Sequence, residues 1–211
     1  MIHELIQRLA WLGHDGYRLD GDPVIYFDPY EIKSGTPADI ILISHEHFDH
    51  CSPADVDKIQ KEDTVIVTDV ASATKLQGDV KTMKAGERFT VKGVEVEAVP
   101  AYNIVHKRSS GDPFHVKGEG NGYIITFADK RVYVGGDTEN TPEMKALKGI
   151  DIAFLPMNLP YTMTPEMVAD AARSFKPKVL YPYHYGDTDP ATLVALLEDQ
   201  GEITVRIREM P

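Results

Sequence analysis

The segment Ser44-His45-Glu46-His47-Phe48-Asp49-His50 places three imidazoles and the Asp49 carboxylate within six positions. The apolar run Asp39–Ser44 before it reads as a strand, and in extended backbone His45 and His47, two apart, leave on the same face. Asp49 and His50 fall where the chain turns into a helix opening at Ser52-Pro53-Ala54-Asp55, with an N-cap hydroxyl, a proline at the first helical position and a carboxylate able to reach back. Imidazole nitrogens and a carboxylate converging in this way form a donor set for zinc or another divalent transition ion. The plain alternative is a group of solvated surface histidines, but so dense a pattern is rare by chance in 211 residues holding 8 histidines.

Two further candidates stand at strand ends. Asp137 follows the apolar run Arg131–Val134 through Gly135 and Gly136, where the missing side chains permit close backbone approach. His184 follows Lys178–Tyr183 and precedes Gly186. Taken singly, the first is equally a turn aspartate and the second a hydrogen-bonded core histidine. Their shared placement singles them out.

The elements that must position these groups alternate strands with fewer helices. Arg8–Leu12, Tyr17–Asp20, Val24–Asp28 and Thr64–Thr68 are rich in branched and aromatic residues between Gly, Pro and Asp. Hairpins are predicted at Arg88–Val91 with Val94–Val99, and at Tyr123–Phe127 with Arg131–Val134 across Asp129-Lys130. Asp151–Leu155 and the edge-like Ile203–Ile207 add strands. Thr164-Pro165 and Asp189-Pro190 open helices running to about Phe175 and Glu198. Residues Ala101 to Gly122, poor in aliphatic side chains, read as a long loop, and such loops in compact domains are usually functional or disordered.

His45-x-His47-x-Asp49-His50 after an apolar strand resembles the signature of the metallo-β-lactamase-fold hydrolases. Leu12-Gly13-His14, Phe27-Asp28-Pro29, Gly135-Gly136-Asp137-Thr138 and Tyr181-Pro182-Tyr183-His184 follow in the family's order. Thr162-Met163-Thr164-Pro165-Glu166 is similar to the branch containing L-ascorbate-6-phosphate lactonase. The resemblance implies an α/β, four-layer αββα sandwich of two mixed sheets, formed by a single domain over residues 1–211, with metals at one sheet edge. It also implies that His45 and His47 bind a first ion, that Asp49, His50 and His184 bind a second, and that Asp137 bridges them. The family's third histidine for the first ion usually follows a Pro-Ala-like turn; here Val99-Pro100-Ala101-Tyr102-Asn103 offers asparagine, a poor transition-metal ligand. His115, anchored by Phe114, is the expected replacement. His106, beside Lys107 and Arg108, is expected to be solvated.

Two Zn2+ ions, with Mn2+ or Fe2+ as alternatives, would lower the pKa of a shared water and support hydrolysis of an ester, lactone, amide or phosphodiester. Asp49 is the expected catalytic group, holding the nucleophile or protonating a leaving group. The competing readings are a phosphodiesterase for a phospholipid-like or nucleotide substrate, and a metal-loaded binding protein without turnover. Lys107, Arg108 and Lys117 could hold an anionic group of a small-molecule substrate, though loop cations are more often solvated. Tyr102, Tyr161, Tyr181, Tyr183 and Tyr185 are candidate oxyanion donors or, more commonly, rings at a core boundary. Asp28 could orient a ligating histidine, His14 could line the pocket, and Cys51 reads as a small apolar residue.

Composition frames these readings. Hydrophobic residues make up 42% and charged residues 26%, which excludes a disordered chain. The formal charge of −11 weighs against nucleic acid and anionic lipid as partners. Apolar stretches fall far short of the roughly 18 residues that span a bilayer. One cysteine and an N-terminus without a secretory pattern lead to an expected cytoplasmic location.

Overall fold

The computed structural model describes residues 2–208. Its first sheet comprises β1 (Leu9–Gly13), β2 (Gly16–Leu19), β3 (Ile25–Phe27), β4 (Ile40–Leu42), β5 (Val65–Thr68) and β6 (Asp79–Thr82), adjacent in that order. The first three pair antiparallel and the rest parallel. The second sheet comprises β7 (Arg88–Val91), β8 (Val94–Ala101), β9 (Gly120–Phe127), β10 (Lys130–Val134), β11 (Ile152–Pro156), β12 (Val179–Tyr183) and β13 (Thr204–Val205), in the order β13-β12-β11-β10-β9-β8-β7. Strands β7 to β10 pair antiparallel and β10 to β13 parallel.

Alternation along the strands divides the core into three. Ile40 and Leu42 of β4 pack inward against the second sheet with Val96, Ile125 and Phe154, whereas Ile41 and Ile43 face the opposite side. There they meet Val56 and Ile59 of α2 (Pro53–Ile59). The outer face of the second sheet, with Ile124, Leu155 and Leu180, is covered by α5 (Pro165–Phe175) and α6 (Pro190–Leu196). The layers are therefore helix, sheet, sheet, helix: two mixed sheets with helices outside, the expected α/β sandwich.

Short elements escaped the sequence pattern. These are α1 (Ile2–Ile6), α3 (Val70–Ala73), α4 (Pro142–Lys145) and β6. The predicted final strand shrinks to β13, two residues hydrogen-bonded to β12 at the sheet edge. The predicted extension of α6 to Glu198 stops at Leu196. Ser52 does flank α2, yet its hydroxyl caps no backbone N–H. It donates instead to Asp55 Oδ2 at 2.6 Å, while that carboxylate accepts the N–H groups of Glu31 and Ile32 from another turn. Thr164 caps α5 by accepting from Met167 N, with Met163 buried beneath, so the Thr162–Glu166 segment serves the fold and supplies none of the clustered histidines and carboxylates.

Parallel strands end together. Asp28 follows β3, Ser44 and His45 follow β4, Asp137 follows β10 and His184 follows β12, so one edge of the sandwich collects all of them. The β1–β2 turn with His14 and Asp15 arrives at the same edge because β2 runs antiparallel to β3.

Candidate metal centre

Strand β4 stops at Leu42, so the extended geometry expected to align His45 with His47 is absent. A turn does the work instead: His50 N and Cys51 N both donate to His47 O, at 3.0 and 2.8 Å, folding His50 back under His45. The His45 and His50 ring centroids lie 4.1 Å apart. His45 Nε2 and His47 Nδ1 stand 2.9 Å apart. One donor atom each from His45, His47, His115 and Asp137 falls within a 4.8 Å group that could hold an ion.

Asp137 faces two ways. Its Oδ2 lies 3.2 Å from His115 Nε2, and its Oδ1 lies 3.5 Å from His50 Nε2 and 3.6 Å from His184 Nε2. His184 Nε2 is in turn 3.8 Å from Asp49 Oδ2. Donors about 2.0–2.2 Å from a tetrahedrally held ion sit about 3.3–3.6 Å from one another, a range that holds the His50 and His184 spacings to Asp137 Oδ1. His50 Nε2 and Asp137 Oδ1 are buried and lack any hydrogen-bond partner. Buried polar atoms rarely go unsatisfied, and a cation in contact with both would account for them. The donor chemistry and the orphaned atoms fit a divalent cation beside Asp137.

The surrounding hydrogen bonds fix which ring nitrogens face inward. Ser44 Oγ gives its proton to Asp28 Oδ2 at 2.7 Å and so accepts from His45 Nδ1 at 2.9 Å, leaving the lone pair of His45 on Nε2, the atom facing His47. His50 Nδ1 meets Asp28 Oδ2 at 2.9 Å and Asp15 Oδ2 at 2.7 Å, turning its Nε2 to Asp137. For His115 the determinant is Asn103. Its Nδ2 is surrounded by two acceptors, Glu139 Oε1 at 3.1 Å and Tyr161 O at 2.8 Å. Its Oδ1 must therefore face His115, where it accepts from both the backbone N at 2.8 Å and Nδ1 at 2.7 Å. Such partners set tautomer and ring orientation at metal sites.

Glu139 anchors the loop that carries His115. Fully buried, its carboxylate accepts the backbone N–H groups of Ile104, Val105 and His106, each at 2.7 Å. The solvated placement expected for His106 is corrected here: it is half-buried, with Nδ1 2.9 Å from Glu139 Oε1, because the buried carboxylate outweighs its cationic neighbours. His106 joins none of the metal-type clusters, whereas His115 does.

Burial and mutual charge set the protonation pattern. Burial disfavours charge on His50, but Asp15, Asp137 and Asp28 overcome this and raise its pKa well above the ordinary imidazole value. Burial likewise opposes ionisation of Asp137, yet the His50 and His184 charges hold it well below the usual carboxylate range. His45 is pushed well down by burial and then by the His50 charge. Asp49, despite burial, is lowered to about 2 by its hydrogen bond from His14 and by His50.

The remaining candidates separate cleanly. Asp28 contacts His50 directly, and His14 Nε2 lies 3.2 Å from Asp49 Oδ2 with its ring 4.5 Å from that of His184. Tyr181 and Tyr183 are core residues packed on Phe154. Tyr102 donates to Glu143 at 2.9 Å, and Tyr161 stacks edge-on with Phe114. Tyr185 lies under the Arg208 guanidinium. Lys117 pairs with Glu143 at 2.6 Å, and Arg108 lies over the Phe114 ring. Cys51 is buried beside Val56 and Ile59. Sequence reasoning missed Asp15 and Glu139. The only signals were a carboxylate inside the Gly13–Gly16 turn and one two places after Asp137.

The Gly135-Gly136 approach has a steric reason at its second residue. Gly136 has φ +62°, and a Cβ there would come within 2.8 Å of Asn121 O and 2.9 Å of Ser44 Cβ. Only glycine lets the Asp137 backbone press against the β4 end.

A cleft of about 410 Å³ opens over His45, His47, His115 and Asp137. The pattern of the beta-lactamase superfamily domain matches residues 8–184. A UPF0173 metal-dependent hydrolase of Methanoculleus marisnigri is 35% identical over 190 residues, covering 87% of this chain and 83% of that protein. The crystal structure of a Parabacteroides distasonis protein described as a metal-dependent hydrolase shares 46% identity at a TM-score of 0.89, covering 96% of this chain and 93% of that one. Igni18, a metallo hydrolase from Ignicoccus hospitalis, superposes at a TM-score of 0.75 with 23% identity, covering 94% of this chain and 93% of its own. No helix among the described residues is long and apolar enough to cross a membrane.

Proposed function

Since the chain belongs to the beta-lactamase superfamily, and within it to the UPF0173 metal-dependent hydrolases, we propose that it is a metal-dependent hydrolase cleaving an ester or lactone bond. In this reading His45, His47 and His115 hold one ion, Asp49, His50 and His184 hold another, and Asp137 lies between them. The observation that carries it is the two-sided Asp137 carboxylate, with His115 on one oxygen and His50 and His184 on the other. Nitrogen-rich donors with two carboxylates favour Zn2+, with Mn2+ or Fe2+ as the other candidates. Divalent ions held there would lower the pKa of a water towards neutrality and polarise the scissile carbonyl.

The chain's own groups do the rest. Asp49 accepts a hydrogen bond from the attacking water and so orients it, while the proton leaves by way of His14, hydrogen-bonded to Asp49 and 40% exposed. As the carbonyl C–O bond breaks, the proton returns to the leaving alkoxide. Asp28 and Asp15 hold His50, and Asn103 holds His115, so the inward-facing nitrogens do not rotate away.

The test compares metal-loaded and chelator-stripped protein on p-nitrophenyl esters, lactones and bis-p-nitrophenyl phosphate. Ester or lactone turnover that disappears with the metal and returns on reconstitution supports the reading. Turnover indifferent to metal refutes it, and exclusive phosphodiester cleavage moves the activity to phosphoryl chemistry.

A further inference from the structure

The cleft over the proposed site has a composition that bears on what enters it. Beyond the imidazoles and Asp137, its walls are built from Val70 and Ala71 of α3, Met83, Phe114 and Val116. Val70 is 57% exposed and Val116 40%, so the structure leaves apolar surface open to water directly beside reactive groups. Such surface, continuous with a reactive centre, marks a ligand-binding wall.

The charges lining the cleft supply no anion clamp. Asp69 is spent on the N–H groups of Ala71 and Ser72, and Glu46 pairs with Lys75. Lys84 and Glu119 form no ion pair among the described residues and contribute one charge of each sign to the lining. The loop cations expected to receive an anionic group do not line it: Lys117 is neutralised by Glu143, and Arg108 is stacked on Phe114.

Resting on the hydrolase reading above, we propose that the substrate class is an ester or lactone with an uncharged apolar acyl arm, which lies along Val70, Ala71, Phe114 and Val116. A phosphorylated or carboxylated arm would find one lysine and one glutamate there, and would lose its hydration without compensation.

Two series test this on the metal-loaded protein. The first measures kcat/KM on p-nitrophenyl acetate, butyrate and hexanoate, with mono-p-nitrophenyl succinate as the anionic comparison. The second measures binding of aceto-, butyro- and hexanohydroxamate by calorimetry, which needs no turnover. Each added methylene is expected to raise kcat/KM and tighten hydroxamate binding by about threefold to fourfold. Val70→Asp and Val116→Asp should each flatten both series. Hydroxamates that tighten with chain length while neither these esters nor lactones are cleaved support the apolar arm and refute the hydrolase reading. Esters cleaved with a flat series, or with succinate preferred, refute the apolar arm and leave that reading standing. Absence of both turnover and hydroxamate binding overturns both. A dimer in sedimentation that Val70→Asp dissociates assigns the surface to a second copy and also overturns the proposal.

Discussion

Replacing Asn103 with leucine tests whether an asparagine that cannot ligate well nevertheless secures a ligand. The substitution preserves volume and removes the acceptor of two bonds, from His115 N at 2.8 Å and from His115 Nδ1 at 2.7 Å. Glu139 keeps its three backbone donors and Tyr161 is 45% exposed, so neither is stranded. The stability cost therefore falls mainly on the buried His115 N–H, about 1–3 kcal/mol. The effect on metal is separate. With Nδ1 unpartnered, the imidazole can rotate or exchange tautomer, and loss of such a partner costs about 10–100-fold in affinity, or roughly 1.4–2.8 kcal/mol. Asn103→Asp discriminates between the two effects. It restores an acceptor for His115 but sets a carboxylate 3.1 Å from Glu139 Oε1, so it should retain affinity better than leucine while losing more stability. Stepwise chelator competition gives the affinities, and thermal denaturation of metal-free protein gives the stabilities. Wild-type affinity in the leucine variant, or affinity falling in proportion to stability in both, refutes the argument.

Four further outcomes are expected. His115→Ala should reduce the metal retained per chain by elemental analysis while His106→Ala leaves it unchanged, since only His115 stands in a metal-type group; the reverse pattern would exchange their roles. Gly136→Ala should lower the melting temperature and the bound metal together, with a stability loss of about 1–3 kcal/mol, because its methyl meets Asn121 O and Ser44 Cβ below contact distance. Asp55, held below its ordinary pKa of 3.8 by Lys58, Ser52 and the Glu31 N–H despite burial, contributes stability that is present above about pH 4 and lost as pH falls through its folded value. Asp55→Asn should therefore cost about 1–3 kcal/mol at pH 7 in urea denaturation, with the gap to wild type closing in acid. Metal addition to stripped protein in dilute buffer near pH 7 should release protons, measured by a pH indicator, because His50 and His184 have raised pKa values that metal binding must overcome.

What the sequence disclosed follows from how far apart the partners lie. His45, His47, Asp49 and His50 are consecutive enough to be read as a unit, although a turn and not a strand brings them together. Asp137 was legible through its glycines, and the two-sheet sandwich through alternation such as Ile40–Ile43. By contrast, whereas Asp28 before its proline was a visible candidate to orient a histidine, Asp15 reaches His50 only because β1 to β4 lie side by side in order, a lateral fact that no local pattern contains. The same holds for Asp55, whose N-cap pattern was readable but whose partners Glu31 and Ile32 lie 24 and 23 positions away. Helices α3 and α4, four residues each, are too short to show a 3.6-residue period, and the largely exposed β6, Asp79–Thr82, lacks apolar alternation.

The loop between β8 and β9 shows most clearly why site and fold must be read together. Its composition singled it out, and the flanking residues favoured His115 over His106, but neither showed what enforces the choice. Glu139 makes that choice by two routes at once. Its carboxylate gathers the N–H groups of residues 104–106, fixing His106 beside itself, and it turns the Asn103 amide so that the carbonyl faces His115. Because Glu139 follows Asp137 by two positions, one short segment after β10 supplies the central carboxylate and also orients a histidine on the facing loop. Displacing that segment would therefore disturb both sides of Asp137 together, which ties the geometry of the proposed ion sites to a single strand end.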